Sequence, residues 1–274
     1  DLWSYDGDTN ECLTNGLGVA QAKSSSPIMV VEQSSVEQSA EATVIKGDTV
    51  WNIDDFAATP LVEPQVSFHQ TGPLNAHTAV LFPTKAVEEP LPIVLDPYGG
   101  PHAQRVLKSR NAFLVSQWLA DQGFCVVVTD GPGTPGRGDG WERIVRGDLA
   151  ESVLQAQVDS ISAIGEIYPE TTDLSRVGIR GWSFGGYLAA LAVLRRPDIF
   201  RAGVAGAPVT DWRLYDTHYT ERYLGHPDEE PANYERTSLL TIDADLKRPL
   251  MLIHGLADDN VVAAHTLQLS SALL

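Results

Sequence analysis

A serine between two glycines is the first place in this sequence where chemistry could occur. Ser183 is the centre of the run Gly181-Trp182-Ser183-Phe184-Gly185, with an apolar stretch at 177–180 before it and a helix-forming stretch after it. Glycines two residues to either side remove side chains that would collide with a strand and a helix, so the hydroxyl projects from a sharp turn. The pattern predicts that Ser183 is a nucleophile and that the free Phe184 amide is an oxyanion donor. The alternative is a chance match in a glycine-rich turn.

A serine hydroxyl needs a base that is itself oriented by a carboxylate. In strand-turn-helix sites of this kind the chain order is serine, then Asp or Glu, then histidine. Asp258 follows the apolar stretch at 250–253, and sites on open α/β sheets form beyond the carboxyl ends of strands. Asp258 is therefore the predicted carboxylate, with Asp259 as the neighbour from which it must be distinguished. A plain loop or helix-capping role is the alternative for either residue.

The general base is harder to find. Only one of the seven histidines follows Asp258, namely His265. It lies in a predicted helix over 261–274, where we expect a solvated side chain carried away from the sheet edge. His254 precedes Asp258 at a strand end, where packing or hydrogen bonding within the turn is expected. We therefore expect the base to lie beyond Leu274 and residues 1–274 alone to be nearly inactive.

The elements that would position these residues change in character along the chain. Up to residue 64, short alternating stretches at 28–31, 42–45 and 49–51 predict antiparallel β structure. From residue 65 onward, strands alternate with longer helical stretches, which predicts a mostly parallel sheet flanked by helices. The predicted strands are 79–82, 93–96, 124–128, 177–180, 202–205 and 250–253, and the predicted helices are 112–121, 150–168, 184–195 and 261–274. This is the arrangement of an α/β-hydrolase fold.

Composition limits the classes of partner. The 274 residues carry 19 basic and 36 acidic side chains, a net charge of −17, which disfavours nucleic acid and anionic membrane as ligands. The two cysteines, Cys12 in a polar stretch and Cys125 in a predicted buried strand, do not indicate a disulfide framework. We find no apolar run of membrane-spanning length and no signal peptide at the first residues, so a cytoplasmic protein is the expectation. The chemistry at Ser183 requires no metal and no organic cofactor.

Together these residues resemble the prolyl oligopeptidase family of serine peptidases, in particular its dipeptidyl peptidase IV branch. The resemblance covers about residues 74–274. Its most specific stretches are Asp96-Pro97-Tyr98-Gly99-Gly100-Pro101, Gly181-Trp182-Ser183-Phe184-Gly185-Gly186-Tyr187, Ala207-Pro208-Val209-Thr210-Asp211-Trp212, Tyr219-Thr220-Glu221-Arg222-Tyr223 and His254-Gly255-Leu256-Ala257-Asp258-Asp259-Asn260-Val261. Several matches in the right order carry more weight than one serine motif.

The resemblance implies roles for further residues. Tyr98 would be the second oxyanion donor, with a core tyrosine as the alternative. A small apolar pocket for the residue before the scissile bond, typically proline or alanine, would be lined by Val209, Trp212, Tyr215, Tyr219 and Val261. Asn260 and Arg222 would hold the substrate's carbonyl. Relatives usually have arginine where Pro132 stands here, which puts an internal charge pairing in doubt unless Arg137 replaces it.

The resemblance also implies a domain plan and an activity. Residues 1–64 would be the end of a β-propeller, and residues 65–274 the hydrolase domain. The implied activity is that of a serine peptidase, in particular a dipeptidyl aminopeptidase acting on peptides, with a homo-oligomer possible for the full-length protein. The alternatives are an acylaminoacyl peptidase or carboxylesterase, or a noncatalytic module that binds peptides. The glutamate pair with which the dipeptidyl branch captures a substrate's amino terminus is not visible in this sequence.

Overall fold

The computed structural model describes residues 2–5, 7–14, 16, 18–25, 27–242 and 246–274. It divides into two compact units. The first consists of Asp1–Val66 and Leu107–Trp118, and the second of Ser67–Val106 and Leu119–Leu274. The predicted boundary between residues 64 and 65 stays a prediction, and contacts group Leu107–Trp118 with the first unit. Sequence patterning cannot detect this, because unit membership depends on contacts made after folding.

The first unit contains two antiparallel sheets. Strands β1 (Trp3–Tyr5) and β2 (Asn10–Cys12) form a two-stranded sheet, and the four-stranded sheet has the order β3-β4-β5-β6. Its strands are β3 (Val19–Ser25), β4 (Ile28–Ser34), β5 (Glu41–Lys46) and β6 (Thr49–Ile53). Gly47, with φ of 56°, begins the two-residue turn that pairs Lys46 with Thr49, since glycine adopts positive φ without steric cost. The predicted antiparallel β character is confirmed, and β1, β2 and β3 were not predicted.

The second unit contains a seven-stranded sheet with the order β13-β12-β11-β9-β10-β8-β7. The strands are β7 (Val66–Thr71), β8 (Ala76–Leu81), β9 (Leu91–Leu95), β10 (Cys125–Asp130), β11 (Thr172–Trp182), β12 (Phe200–Gly206) and β13 (Leu250–Ile253). Strands β9 to β13 pair in parallel, whereas β8 runs antiparallel to β10. All six predicted strands are present, and the α/β-hydrolase prediction is confirmed.

The described residues contain seven α-helices. They are α1 (Leu114–Ala120), α2 (Asp139–Glu142), α3 (Glu151–Ile167), α4 (Phe184–Arg195), α5 (Thr217–Leu224), α6 (Pro231–Thr237) and α7 (Ala264–Leu273). Short 3₁₀ segments cover Arg110–Phe113, Arg143–Val145 and Trp212–Leu214. The predicted helix 112–121 is therefore 3₁₀ in its first part, and the one predicted over 261–274 begins only at Ala264. Among the described residues, no helix is long and apolar enough to cross a membrane.

Helix α4 is the best-buried helix of the second unit. Its residues from Phe184 to Leu194 are all buried against β11 and β12. Small residues let it approach the sheet closely: a methyl group on Gly186 would lie 2.3 Å from the Gly206 carbonyl oxygen. Such contact cannot be relieved without moving backbone, so the position of the helix start is fixed by packing.

Candidate active site

The turn at Ser183 has the strained geometry that the sequence predicted. The residue has φ of 57° and ψ of −120°, a conformation that glycine favours and other residues adopt at a cost. Two backbone hydrogen bonds hold it there: the Ser183 amide donates to the Gly206 carbonyl, and the Ser183 carbonyl accepts from the Tyr187 amide, each at 2.9 Å. The hydroxyl is thereby fixed between the end of β11 and the start of α4.

The flanking glycines are required by close backbone approach. A methyl group on Gly181 would lie 2.1 Å from the Gly185 carbonyl oxygen. One on Gly185 would lie 2.4 Å from the carbonyl oxygen of Pro97, which immediately precedes Tyr98. The second contact brings the segment after β9 directly against the serine turn.

Tyr98 lies on that segment, with its phenol close to the Ser183 side chain. Burial raises the pKa of Tyr98 to about 12, Tyr215 adds to the increase, and the Ser183 side chain opposes it. The phenol therefore keeps its proton at neutral pH and can donate. The Phe184 amide is the first of α4, where a helix offers no internal acceptor. These two donors adjoin the hydroxyl, which is the arrangement an oxyanion requires.

Asp258 lies in the loop after β13, with its side chain one-quarter exposed. Its Oδ1 accepts hydrogen bonds from the amides of Asn260 and Val261, at 3.1 and 2.9 Å. These bonds orient the carboxylate, whereas the neighbouring Asp259 is exposed. The catalytic role of Asp258 stays a prediction, and the geometry favours it over Asp259.

Both histidines of this region have internal partners. The His254 Nε2 donates to the Val261 carbonyl at 2.7 Å, and its Nδ1 accepts from the Thr266 hydroxyl at 2.6 Å. The prediction of a solvated His265 is wrong: the residue is fully buried, and its Nδ1 accepts from the Thr210 amide at 3.1 Å. The helical pattern around His265 is mostly apolar and does not reveal which side of α7 faces the sheet.

The predicted apolar pocket residues come together as an aromatic cluster. The rings of Trp212 and Tyr219 stack, with centroids 5.8 Å apart and planes 7° from parallel, and Tyr215 meets Tyr219 edge-on at 5.4 Å. Phe184 lies 5.7 Å from Trp212, which ties the cluster to the serine turn. Val209 and Val261 are both buried. Burial raises the pKa of Tyr219, and the nearby Tyr98 contributes to that increase.

The two residues predicted to hold a substrate carbonyl differ in setting. The Asn260 Oδ1 accepts a hydrogen bond from the Tyr215 hydroxyl at 3.2 Å, so its amide group is oriented by the aromatic cluster. Arg222 is exposed on α5, where its guanidinium lies 6.0 Å from the Tyr223 ring and lines a cavity of about 330 Å³. The Asn260 amide group is therefore oriented by a hydrogen bond, whereas the Arg222 side chain is exposed to solvent.

The sequence reasoning missed His102. Its ring lies 4.7 Å from Tyr219 and 6.0 Å from Tyr223, at the edge of the aromatic cluster. Burial and then Arg222 lower the pKa of His102. The residue has φ of 75°, uncommon for a residue other than glycine. The sequence signal that could have revealed His102 is its position directly after the stretch 96–101, which contains Tyr98.

A buried charge network beneath Tyr98 was also missed. Asp96, whose side chain is 3% exposed, receives a hydrogen bond from the Arg105 guanidinium at 3.0 Å and faces Arg180 at 3.6 Å. The Asp130 carboxylate accepts from the amides of Arg105 and Val106 at 2.9 and 3.0 Å. Arg137 instead stacks on Trp141, 3.9 Å from the ring centroid. The charged partners that the structure shows for Asp96, two residues before Tyr98, are thus Arg105 and Arg180.

Replacing Arg105 with methionine should destabilise the protein, because the buried Asp96 carboxylate loses its closest charged partner. We expect Arg105→Met to cost about 2–3 kcal/mol of unfolding free energy, below the full cost of breaking a buried pair because Arg180 remains. The matched control is Arg143→Met, which removes an exposed Asp139 pair of similar length, 2.9 Å, and should cost at most about 0.5 kcal/mol. Urea unfolding at pH 7 measures both, and equal losses would contradict the prediction.

No metal centre accompanies these residues. In the part of the chain that the structure describes, no group of three or more His, Cys, Asp or Glu side chains could hold a metal ion. Ser183, the predicted nucleophile, lies beside the Tyr98 phenol, the first amide of α4 and the aromatic cluster. Hydrogen-bond donors next to a serine hydroxyl are suited to a tetrahedral acyl intermediate.

Comparison with known proteins agrees with this geometry. The sequence profile described as "Prolyl oligopeptidase family" matches residues 111–274, more than half of the chain. The chain belongs to the prolyl oligopeptidase family. Within that family it is 42% identical to dipeptidyl peptidase 8 of Mus musculus over 189 residues, which is 67% of this chain and 21% of that protein. Dipeptidyl peptidase 8 of Homo sapiens matches over the same share at the same identity.

A solved structure of the family extends the match to nearly the whole chain. The crystal structure of Porphyromonas gingivalis dipeptidyl peptidase 4 aligns with a TM-score of 0.85 and 28% identity, covering 97% of this chain and 39% of that one. The predicted resemblance to the dipeptidyl peptidase IV branch is confirmed. This chain spans about a fifth of the length of the curated relatives it matches, so the activity of the whole protein is argued below as a proposal.

Proposed function

We propose that this chain forms the catalytic part of a serine exopeptidase that removes dipeptides from the amino terminus of peptides, with proline or alanine before the scissile bond. The observation that carries the proposal is the placement of the Tyr98 phenol close to the Ser183 side chain at a strained turn. A phenol beside the nucleophile is suited to the charge that develops on the substrate's carbonyl oxygen. The names of the relatives, dipeptidyl peptidases, support the same class of reaction.

In the proposed reaction the Ser183 Oγ attacks the carbonyl carbon of the scissile bond while its proton passes to a histidine base. Tyr98 and the Phe184 amide donate to the resulting oxyanion. The base then gives its proton to the leaving amine, the C–N bond breaks, and an acyl-enzyme remains on Ser183. Water, deprotonated by the same base, attacks this ester and regenerates the hydroxyl. Asp258 orients the base, whose own location is a separate part of the proposal.

The proposed base lies outside residues 1–274. Support comes from the contacts of the two histidines: both ring nitrogens of His254 are engaged, with Val261 and Thr266, and His265 is fully buried with its Nδ1 engaged by the Thr210 amide. A direct test compares turnover by residues 1–274 alone with turnover by the gene product that carries them. We expect peptide cleavage only from the gene product. Strong cleavage by residues 1–274 would show that His254 or His265 acts as the base.

The aromatic cluster is the proposed pocket for the residue before the scissile bond. The stacked and edge-on rings offer an apolar surface against which a small, flat side chain could pack. Asn260 and Arg222 are proposed to hold a carbonyl of the substrate. The Tyr215 hydroxyl orients Asn260. Tyr215 also belongs to the aromatic cluster, so a change in the shape of the cluster would also move the group proposed to hold the substrate carbonyl.

Two chromogenic substrates separate this proposal from its nearest competitor. The gene product is expected to cleave an Ala-Pro amide with a free amino terminus and to leave an acetyl-alanine substrate largely intact. Activity on the acetylated substrate alone would indicate an acylaminoacyl peptidase or carboxylesterase. If a fluorophosphonate probe fails to label Ser183, the noncatalytic peptide-binding alternative is favoured.

Three further expectations stay predictions: a cytoplasmic location, a homo-oligomer of the full-length protein, and residues 1–64 as the end of a β-propeller. The last is supported by the four-stranded antiparallel sheet β3-β4-β5-β6, since propeller blades are sheets of four strands.

A further inference from the structure

His265 is buried where the mechanism has no use for a titratable group. It is the second residue of α7 and is fully buried, and its Nδ1 accepts a hydrogen bond from the Thr210 amide at 3.1 Å. The contact is reinforced by the backbone, since the Thr210 hydroxyl donates to the His265 carbonyl at 2.8 Å. Thr210 is itself fully buried. Two hydrogen bonds therefore join α7 to the segment that follows β12.

That segment leads into the aromatic cluster. Thr210 is followed by Asp211, whose carboxylate caps the 3₁₀ turn Trp212–Leu214 by accepting from the Arg213 amide at 2.9 Å. Trp212 begins this turn and stacks on Tyr219. Trp212 lies only two residues after Thr210, so the hydrogen bond from the Thr210 amide to His265 helps to fix the position of the indole. A shift of Thr210 would move the stacked wall of the cluster.

Only the neutral ring can make this contact. Because Nδ1 accepts from an N–H group, the neutral imidazole must carry its proton on Nε2. A doubly protonated ring would turn an N–H toward the Thr210 N–H, and the hydrogen bond would be replaced by repulsion. The contact is therefore sensitive to the charge of His265.

The surroundings of the ring favour the neutral form. The facing groups are Asp211 on the Thr210 segment, His254 at the end of β13, and the Leu214 backbone. Burial is the largest influence and lowers the pKa of His265; His254 also lowers it, while Asp211 and Leu214 raise it. The charge of Asp211 is partly satisfied by Arg213 at 3.4 Å and by the Ser238 hydroxyl at 3.2 Å. Burial therefore decides the direction.

We propose that His265 is a positioning residue whose neutral ring holds the Thr210 amide, and with it the Trp212 wall of the substrate pocket, and whose protonation releases that wall. The role in substrate selection rests on the proposed function, whereas the link between ring charge and segment position does not. The consequence is a pocket that is well formed at neutral pH and loosens in acid. Selectivity for small apolar residues should weaken with it.

The direction of the pH effect follows from the lowered pKa. Between the folded pKa and the ordinary value of about 6.5, the unfolded chain binds a proton that the folded protein excludes. The stabilising contribution of His265 is therefore complete above about pH 6.5 and is lost as the pH falls below it. Stability should rise with pH across this window.

Two substitutions of His265 separate its role as a hydrogen-bond acceptor from its ability to bind a proton. In His265→Asn, the side-chain oxygen can replace Nδ1 as acceptor for the Thr210 amide, and the residue does not titrate. In His265→Leu, the buried amide loses its acceptor. The matched control is His218→Asn, the same change at an exposed histidine on α5.

Urea unfolding of the gene product from pH 5 to 8 is the first measurement. Relative to the wild type and His218→Asn, the stability of His265→Asn should depend distinctly less on pH below 6.5. His265→Leu should raise the unfolding equilibrium constant roughly 10- to 100-fold at pH 8, the range for a buried amide left without a partner. The proposal is overturned if His265→Asn retains the full wild-type pH dependence. A stable and well-folded His265→Leu protein would also overturn it.

The second measurement is the KM for an Ala-Pro substrate. Because burial lowers the pKa of the folded ring, the wild-type KM should stay level near neutral pH and rise only in more acid solution, below about pH 6.5, and it should rise by more than it does for His265→Asn. Equal rises in both proteins would remove the pocket part of the proposal. Absence of any cleavage would count against the proposed function instead, and the unfolding measurements would still decide the role of the ring.

Discussion

Ser183→Ala is expected to abolish labelling of the gene product by a fluorophosphonate probe and to lower kcat for dipeptide release by roughly 10⁴-fold or more. The reason is chemical, since alanine leaves no atom to carry the acyl group. KM should change little because the aromatic cluster and Asn260 are untouched. The matched control is Ser162→Ala, which removes a hydroxyl that bonds only within α3, to the Val158 carbonyl at 3.2 Å. Wild-type labelling of Ser183→Ala would place the nucleophile elsewhere.

A second substitution of Ser183 tests whether the strained backbone of this turn lowers the stability of the protein. With φ of 57° and ψ of −120°, Ser183 occupies a conformation natural to glycine. Ser183→Gly should therefore be inactive and yet more stable than the wild type, by about 1–3 kcal/mol. Ser183→Ala should show no such gain, because alanine has the same Cβ. A glycine variant less stable than the wild type would contradict the presence of strain at this turn.

Tyr98→Phe should lower kcat by about 10²- to 10³-fold, the usual cost of losing one oxyanion donor. The phenylalanine ring keeps the packing against Phe184, whose centroid lies 5.8 Å away, so the protein should fold normally. The loss is confined to the hydroxyl that lies close to the Ser183 side chain. Steady-state kinetics with an Ala-Pro substrate measures it, and fluorophosphonate labelling should persist at a reduced rate.

The raised pKa of Tyr98 also predicts how the effect of Tyr98→Phe on kcat depends on pH. Because burial raises that pKa to about 12, the phenol stays protonated and able to donate throughout the neutral and mildly alkaline range. Its contribution to stability is complete below the ordinary pKa of about 10 and is lost as the pH rises toward 12. The ratio of wild-type to Tyr98→Phe kcat should therefore be constant from pH 6 to 9.

Tyr168→Phe is the control for a lost phenol. Its hydroxyl meets His69 at 2.9 Å, away from the serine turn, and its removal should leave kcat unchanged. If Tyr98→Phe retained full activity while this control behaved normally, Tyr98 would be a core tyrosine and the Phe184 amide would act without it.

Local sequence determines those features whose physics is local. The glycines around Ser183 predicted a turn because only glycine fits where a methyl group would lie 2.1 Å from a carbonyl oxygen. Alternation of apolar stretches with helical ones predicted the sheet, and each of its predicted strands is present. Helix α4 was predicted to its last residue because strand, glycine turn and helix former follow each other without interruption.

Features that depend on distant contacts were not accessible in this way. Asp96 and Arg105 lie close in the chain, but the third member, Arg180, comes from β11, and a charge pattern cannot report which strands are neighbours. Likewise, His265 and Thr210 are 55 residues apart, and nothing in the helix pattern shows that the ring is buried against that amide.

The sequence by itself therefore determined the glycine turn at Ser183, the sheet with its helices, and the family to which the chain is similar, because these rest on short-range sterics and the order of motifs. The tertiary structure alone decided that the Tyr98 phenol reaches Ser183, which charges hold the tyrosine segment, and that His265 is a buried acceptor and not a solvated residue. The physical reason is that burial and hydrogen-bond partners are properties of packed surfaces, which arise only when residues far apart in the chain come into contact.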